Sequence, residues 1–430
     1  LYLVLLAGRE VLGAMFLPAA LILGAFLAGL AVYALGRRAQ LAARLRADAP
    51  TFLLGGLLAL ALALRLLWRP EQAPAPASDE AHFIEGVLGI INPQGYAPAT
   101  LRYPTLLLFL ELATAIVRFM AGVSANLWTW PTELLPAHLY GWGRGLVALL
   151  GAATLIPCYW LAGRLYGRRA GLLAALFLAL LPMHIAAGGI VSPEVPAGLL
   201  ALLAVWGALH LREEGTAGWA LAAGACAGLA AATHYPAALA LFVPLLALAL
   251  RPALSRPAGR VRPRWALVLL VLAGALAAFV VACPAALLAT DRFVDGLAEA
   301  TRAYFPPAGR AGTALGYLLR EGLGVGPAVL TVLGLILLMP RFRWKEALLF
   351  LFPMALYLAL LLPRARFMRD LATLSPWVAL LAAYGVDRSS AWLEARVRRP
   401  AWLRRGIPWG LALVGTGLFV LALLRAAIAA

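Results

Sequence analysis

Two adjacent carboxylates stand in the stretch Ser78-Asp79-Glu80-Ala81-His82-Phe83. A carboxylate steadied by a neighbour can take a proton from a hydroxyl, which is the work of a general base, and adjacent carboxylates raise one another's pKa. The same residues also read as a helix start, with Ser78 as the cap and both acids in the first turn near the positive dipole end. A cationic group lies far along the chain, where Arg364, Arg366 and Arg369 crowd into one short segment. Guanidinium groups match phosphate oxygens in a bidentate way, and at a bilayer surface they also snorkel to lipid phosphate. Arg144, between Gly143 and Gly145, suits a second phosphate contact or a pairing with Glu111 or Glu133. Glu194, between Pro193 and Pro196, fits a first-turn acid or an acid that binds acceptor or sugar. His234, in Thr233-His234-Tyr235, can donate to phosphate or sugar, or cap a polar tip. His82, His138 and His184 are scattered, so no metal site is expected. Cys158, Cys226 and Cys283 lie in apolar runs without CxxC spacing and read as packing residues.

The elements that must position these groups are membrane helices. The chain has 430 residues, 63% hydrophobic and 13% charged, with a mean hydropathy of +0.89. A soluble domain is nearer half apolar and a quarter charged, so a soluble enzyme, a disordered chain and a disulfide scaffold are excluded. Unbroken apolar runs such as 170–181 exclude an outer-membrane barrel, whose strands alternate polar and apolar. A membrane helix needs about 20 mostly apolar residues. The expected spans are 11–35, 51–68, 144–163, 171–190, 195–211, 219–232, 235–250, 265–288, 325–340, 346–362, 371–386 and 407–425.

Charge orients them. The net charge is +17, and Lys345 is the single lysine. Of the 36 basic residues, 22 fall at 36–50, 164–169, 212, 251–264, 341–345 and 388–405. Short Arg-rich loops stay in the cytoplasm, so these six mark the inner face, and the charge reads as positive-inside rather than nucleic-acid binding. Because both its flanks are inner, 219–250 must cross twice as a hairpin turning near His234. The stretch 106–120 cannot cross without flipping every later loop, and it carries Glu111 and Arg118 on one face. It is expected to lie in the membrane interface. The outer face then holds long loops at 69–143 and 289–324 and short ones at 192–194, 234–235 and 363–370. The aromatic stretch Leu127-Trp128-Thr129-Trp130-Pro131 fits an interfacial anchor or the flank of an acceptor path. Leu1 in place of an initiator methionine, and the end just past a span, suggest a piece of a longer chain. Neither an internal repeat nor an Asn-x-Ser/Thr sequon is present.

In that order and topology the sequence resembles the GT-C glycosyltransferases that use polyprenyl-phosphate sugars, most closely the protein O-mannosyltransferase branch and related bacterial transferases. A span followed by an outer loop with Asp79-Glu80-x-His82-Phe83 carries the resemblance. Arg102-Tyr103-Pro104-Thr105-Leu106 stands where that family has a His-Pro-Pro-Leu run. His138-Leu139 … Gly143-Arg144-Gly145-Leu146 … Gly151 resembles its "Arg … Gly" approach to the next span. Ser192-Pro193-Glu194 matches a Pro and an acid before a span. Gly224 … Gly228-Leu229-Ala230 … Thr233-His234-Tyr235 resembles its "Gly … Gly-Leu-Ala … Thr-Lys-Tyr", and Arg369-Asp370 … Pro376 resembles its "Arg-Tyr … Pro". The sequence departs from the pattern at Tyr103 for His, His234 for Lys and Asp370 for Tyr.

The resemblance implies an all-α polytopic transmembrane bundle of GT-C type, with about 12 spans. Its catalytic core would cover 51–386, between an added span and basic loop at 1–50 and a basic loop and last span at 387–430. The implied activity is sugar transfer from a polyprenyl-phosphate donor to a glycolipid, polymer or protein acceptor. It would be an inverting transfer on the extracytoplasmic face of the plasma (inner) membrane. The implied roles are Asp79 as base with Glu80 orienting or tuning it, and Arg144, Arg366, Arg369 and His234 on the donor phosphate. Glu194, His82 and Tyr103 would take acceptor or sugar. A single phosphate is already a stable leaving group, so no cofactor is expected, a divalent metal being the less favoured alternative, and the bilayer is a partner while nucleic acid is not. A transporter or flippase and a catalytically silent scaffold are the competing classes. Transporters carry inverted repeats and mid-membrane charges, neither of which the sequence displays.

Overall fold

Helices account for every regular element in the computed structural model, which describes residues 38–68, 79–96, 100–252, 263–304, 322–361, 368–396 and 401–429. The chain divides into two units, residues 1–55 and 56–430. Helix α1 (Arg38–Leu67) runs through the boundary. The second unit continues with α2 (Asp79–Ile91), α3 (Leu106–Ser124), α4 (Pro136–Ala153), α5 (Leu155–Tyr166), α6 (Arg168–Leu180), α7 (Pro182–Gly188), α8 (Glu194–Glu214) and α9 (Ala217–Thr233). It goes on through α10 (Phe242–Ala249), α11 (Arg264–Ala282), α12 (Ala285–Leu288), α13 (Thr290–Tyr304), α14 (Val325–Leu338), α15 (Trp344–Leu361), α16 (Ser375–Arg396) and α17 (Ala401–Ala429). Two 3-10 segments, Tyr235–Leu241 and Met368–Leu374, matter to the site.

Ala- and Leu-rich segments are strong helix formers, and the breaks have local causes. The αL conformation of Gly215 (φ 64°) ends α8, and the Thr216 hydroxyl caps α9 by accepting from the Trp219 N–H at 3.4 Å. Pro182 cannot continue α6 because it lacks an N–H and its ring clashes with the preceding turn. The expected span 171–190 is therefore bent by 59° into α6 and α7. Five described helices are long and apolar enough to cross a membrane by length and composition, or six with this bent pair counted as one. Shorter apolar helices lie at Thr51–Leu67, Ala217–Thr233, Tyr235–Ala249 and Val325–Arg341. The expected span 11–35 lies outside the described residues.

Five of the six basic segments meet at one end of the bundle. Arg212 Nε, near the end of α8, donates to the Leu250 carbonyl at 3.1 Å, just past α10. Its guanidinium stacks 3.4 Å from the Trp344 ring centre at the start of α15. Arg264 donates to the Arg251 carbonyl, Arg164 pairs with Glu213, and Arg169 reaches Glu394 of α16 at 3.5 Å. The hairpin expected across 219–250 is therefore present: α9 leaves this end and α10 returns to it. Helix α11 then runs parallel to α9, and the pair approach so closely that a Cβ on Gly224 or Gly228 would stand 2.1 Å from the carbonyl oxygen of Val271 or Ala275. Small residues at such a contact replace the hydrophobic drive that is missing between helices in lipid.

Helix α3 has the length and composition of a span, yet its contacts keep both ends at the end opposite the basic loops. The Thr105 hydroxyl before its first turn donates to the Ala282 carbonyl, the last residue of α11, at 2.7 Å. Near its far end, Arg118 lies 4.5 Å from the Trp128 ring centre and 5.8 Å from that of Trp142, near the start of α4. A helix tied this way runs across the bundle's end rather than along it. Arg118 makes these aromatic contacts, while Glu111, on the same helix, lies against Gly143 of α4.

Candidate active site

The carboxylates singled out by the sequence begin α2, in its first turn, and both are buried. Their fixity comes from the next residues, since Phe83, Ile84, Val87 and Leu88 anchor the helix in the core. Glu80 is held by three donors. Arg144 Nε and Nη2 donate to its two carboxylate oxygens at 2.7 and 2.8 Å, and the Val191 N–H donates to Oε1 at 3.1 Å. A bidentate pair of this kind fixes both orientation and charge. The pairing separates the two acids: Glu80 binds the arginine of α4 and the loop before α8, and Asp79 stands beside it. Any donor phosphate reaching Arg144 would share that guanidinium with Glu80.

Gly143 opens the space beside Arg144 for a third acid. A Cβ there would lie 2.5 Å from the Glu111 carboxylate. Glu111 itself is buried, so α3 contributes a carboxylate to the surroundings of Arg144. Sequence reasoning weighed Glu111 as a pairing partner and did not foresee Glu80 in that place.

His82 and Tyr103 come together on the other side of α2, with ring centres 5.5 Å apart, and Phe83 lies 5.3 Å from Tyr103. Burial pushes the His82 imidazole below its ordinary pKa, against the opposing pull of the Asp79 charge. Two carbonyls anchor this wall: that of Leu101, which accepts from the Tyr235 hydroxyl at 3.0 Å, and that of Ala282, which holds Thr105. Gly296 of α13 packs on Leu101, so part of the second long loop covers the first.

Three other residues meet at the same end of the bundle. Glu194 begins α8, His234 fills the break between α9 and the 3-10 segment Tyr235–Leu241, and Asp370 lies in the 3-10 turn before α16. All three are buried, with one ligand atom of each within 4.8 Å of the others. His234 Nε2 stands 3.8 Å from Asp370 Oδ1. Asp370 entered the sequence reading only as a departure from a pattern. Its placement against His234, another such departure, was the available signal. Two short chain links join this triad to the Asp79 region: Val191, three residues before Glu194, donates to Glu80, and Tyr235, next to His234, donates to Leu101.

Other expected residues are placed differently. Arg366 and Arg364 lie outside the described residues. The backbone of Arg369 is in the turn beside Asp370, and its side chain lies outside them. His138 accepts from the Leu135 N–H at 3.1 Å and serves the start of α4. His184 is buried against Arg65, 2.5 Å from Nη2, and Arg65 also donates to the carbonyls of Ala61 and Leu178 at 2.7 and 3.3 Å. Nothing in the local sequence announced that pair, whose members are 119 residues apart.

The architecture is a fold of the GT-C type. Residues 142–287 match the family described as dolichyl-phosphate-mannose-protein mannosyltransferase. Among solved structures, the chain is similar to ArnT from Cupriavidus metallidurans bound to undecaprenyl phosphate. There the identity is 17%, 88% of this chain and 77% of that one are covered, and the TM-score is 0.62. The apo state of the same protein gives 17% identity, coverage of 88% and 76%, and a TM-score of 0.57. The oligosaccharyltransferase AglB from Archaeoglobus fulgidus, in complex with an inhibitory peptide and a dolichol-phosphate, gives 13% identity and a TM-score of 0.54. In that comparison 89% of this chain covers 56% of AglB. No curated protein sequence matches the chain.

Proposed function

We propose that the protein transfers a sugar from a polyprenyl-phosphate donor to a hydroxyl acceptor at the extracytoplasmic face of the inner membrane. The observation that carries this reading is the buried pair at the head of α2. One carboxylate, Glu80, is fixed by Arg144 and the Val191 N–H, and Asp79, beside it in the same first turn, takes the base role. The acceptor O–H gives its proton to the Asp79 carboxylate as its oxygen bonds to the anomeric carbon. The bond from that carbon to the phosphate oxygen breaks, and the phosphate leaves on the polyprenol with the electron pair. Attack opposite the leaving group inverts the anomeric centre. Arg369 and Arg366 balance the phosphate charge, and Tyr103 and His82 form a wall for sugar or acceptor. His82, held toward its neutral form by burial, acts there as a hydrogen-bonding group rather than a cation. The facing is supported by the five basic segments at the opposite end, because Arg-rich loops stay in the cytoplasm.

Reconstitution with polyprenyl-phosphate sugars, guided by mass spectrometry of the lipid that co-purifies, tests the activity. Asp79→Asn should cut transfer on the order of a hundred- to ten-thousand-fold while donor binding persists. Turnover like that of the unmodified protein would remove Asp79 from the mechanism and return it to the helix-start role.

A further inference from the structure

We propose that Arg212, Arg251 and Arg264 form a binding site for the phosphate of an anionic phospholipid, at the end of the bundle where the basic segments gather. Three chain segments build it: the end of α8, the residues just past α10 and the start of α11. The backbone of Leu250 and Arg251 ties them together. Arg212 Nε donates to the Leu250 carbonyl at 3.1 Å, and Arg264 donates to the carbonyl of Arg251. The two outer arginines thereby satisfy free carbonyls at the end of α10, a common use of cations at a helix C-terminus. Arg251 has no such task.

The Arg251 side chain is only 5% exposed. Its guanidinium lies flat on Gly215, where a Cβ would collide with Cζ, Nη1 and Nη2 alike. Nε and Nη2 are buried and have no hydrogen-bond partner among the described residues. These two nitrogens form one edge of the guanidinium, the same edge by which Arg144 grips Glu80. Such an edge matches two oxygens of a phosphate. The acids on the adjoining elements are engaged elsewhere. Glu213 pairs with Arg164, Glu214 takes His210 and the Trp219 side-chain N–H at 2.7 and 2.8 Å, and Glu346 accepts from the Arg343 N–H at 2.9 Å. The segment that follows, 253–262, contains Arg256, Arg260 and Arg262 and no Asp or Glu, so it brings no carboxylate. A buried charge without a counter-charge is costly, and a phosphate on the open edge relieves that cost.

The surroundings favour a lipid as the source of the phosphate. Trp265, Leu269, Leu272 and Leu276 are exposed, and their spacing places them on one face of α11. That face runs from Arg264 along the bundle and offers a path for acyl chains. Trp265, next to Arg264, suits an aromatic anchor at head-group level. Basic pockets between membrane helices are known seats for anionic head groups. A water-soluble phosphate meets the same arginines but gains nothing from the apolar face.

The test uses the full protein in detergent, stripped of lipid and titrated with phosphatidylglycerol, phosphatidylcholine or glycerol phosphate, with binding read by native mass spectrometry. Phosphatidylglycerol should bind one per chain, ahead of both other probes. Arg251→Gln should weaken it roughly ten- to more than a hundred-fold, the range of one charge-assisted contact. Arg169→Gln, at an exposed position of the same end, should leave it unchanged. Stripped of lipid, Arg251→Gln should unfold at or above the midpoint of the stripped unmodified protein, because it removes an unpaired buried charge. A lower midpoint would reveal an internal partner for Arg251 and overturn the site. Equal losses at Arg251 and Arg169 would reduce it to general attraction at a basic surface. Glycerol phosphate binding as tightly as phosphatidylglycerol would overturn the lipid as its occupant.

Discussion

The two ends of the bundle use the same residue types to different effect. At the end where the basic segments gather, Arg169 pairs with Glu394 at 3.5 Å with side chains 56% and 32% exposed. His210 meets Glu214 one turn along the same helix. Such pairs sit in solvent or among lipid head groups and contribute little. At the opposite end, Glu80 and Arg144 are 6% and 18% exposed, and His234 and Asp370 are 3% each. Charges kept out of water cost several kcal/mol per ion before they are paired, and in a membrane they mark functional positions. Among the ion pairs, burial more than charge count therefore separates the two ends.

Three substitutions probe this contrast. The largest effect is expected for Arg144→Ala, which strands a buried Glu80 carboxylate at about 3–5 kcal/mol, read as a lowered unfolding midpoint in detergent. Glu80→Gln together with Arg144→Ala should recover part of that loss, and a double variant no better than Arg144→Ala would mean that the pair is not coupled. An intermediate effect is expected for Arg369→Ala. A charge-assisted contact to phosphate is worth about 1.5–3 kcal/mol, so binding of a polyprenyl-phosphate analogue should fall roughly ten- to more than a hundred-fold. Arg369→Lys should rescue it partly, since lysine lacks the planar fork. Arg364→Ala should bind normally, and equal small losses at both positions would indicate general head-group contact. The smallest effect is expected for Arg169→Ala at the exposed end, about 0–1 kcal/mol in the same unfolding assay. A loss there as large as that of Arg144→Ala would erase the contrast between the ends.

What the sequence made legible follows from what composition and order encode. Arg-rich loops set the expected sidedness because charge resists transfer across the membrane, and the hairpin at 219–250 followed from that rule alone. Asp79 and Glu80 were readable because a polar pair after an apolar run is conspicuous. The Glu80–Arg144 pair was not, because the two lie 64 positions apart and Glu111 and Glu133 were equally plausible partners. The Arg65–His184 contact was invisible for the same reason: two polar residues inside apolar helices carry no mark of which face they share. The break at Leu181 had a local cause in Pro182, yet hydropathy averaged over the run hid it. Asp370 had no meaning until His234 stood beside it.

The tie between Thr105 and Ala282 crosses 177 residues of sequence, and Leu101 is likewise gripped by Tyr235 and packed by Gly296. Chains are threaded from the ribosome with the amino-terminal part first. The loop that bears Asp79 therefore emerges early and waits until residues beyond 280 have been inserted before its anchors exist. A nascent chain halted before that point carries Asp79 and Glu80 without their final setting, so this end of the bundle is completed late in biosynthesis.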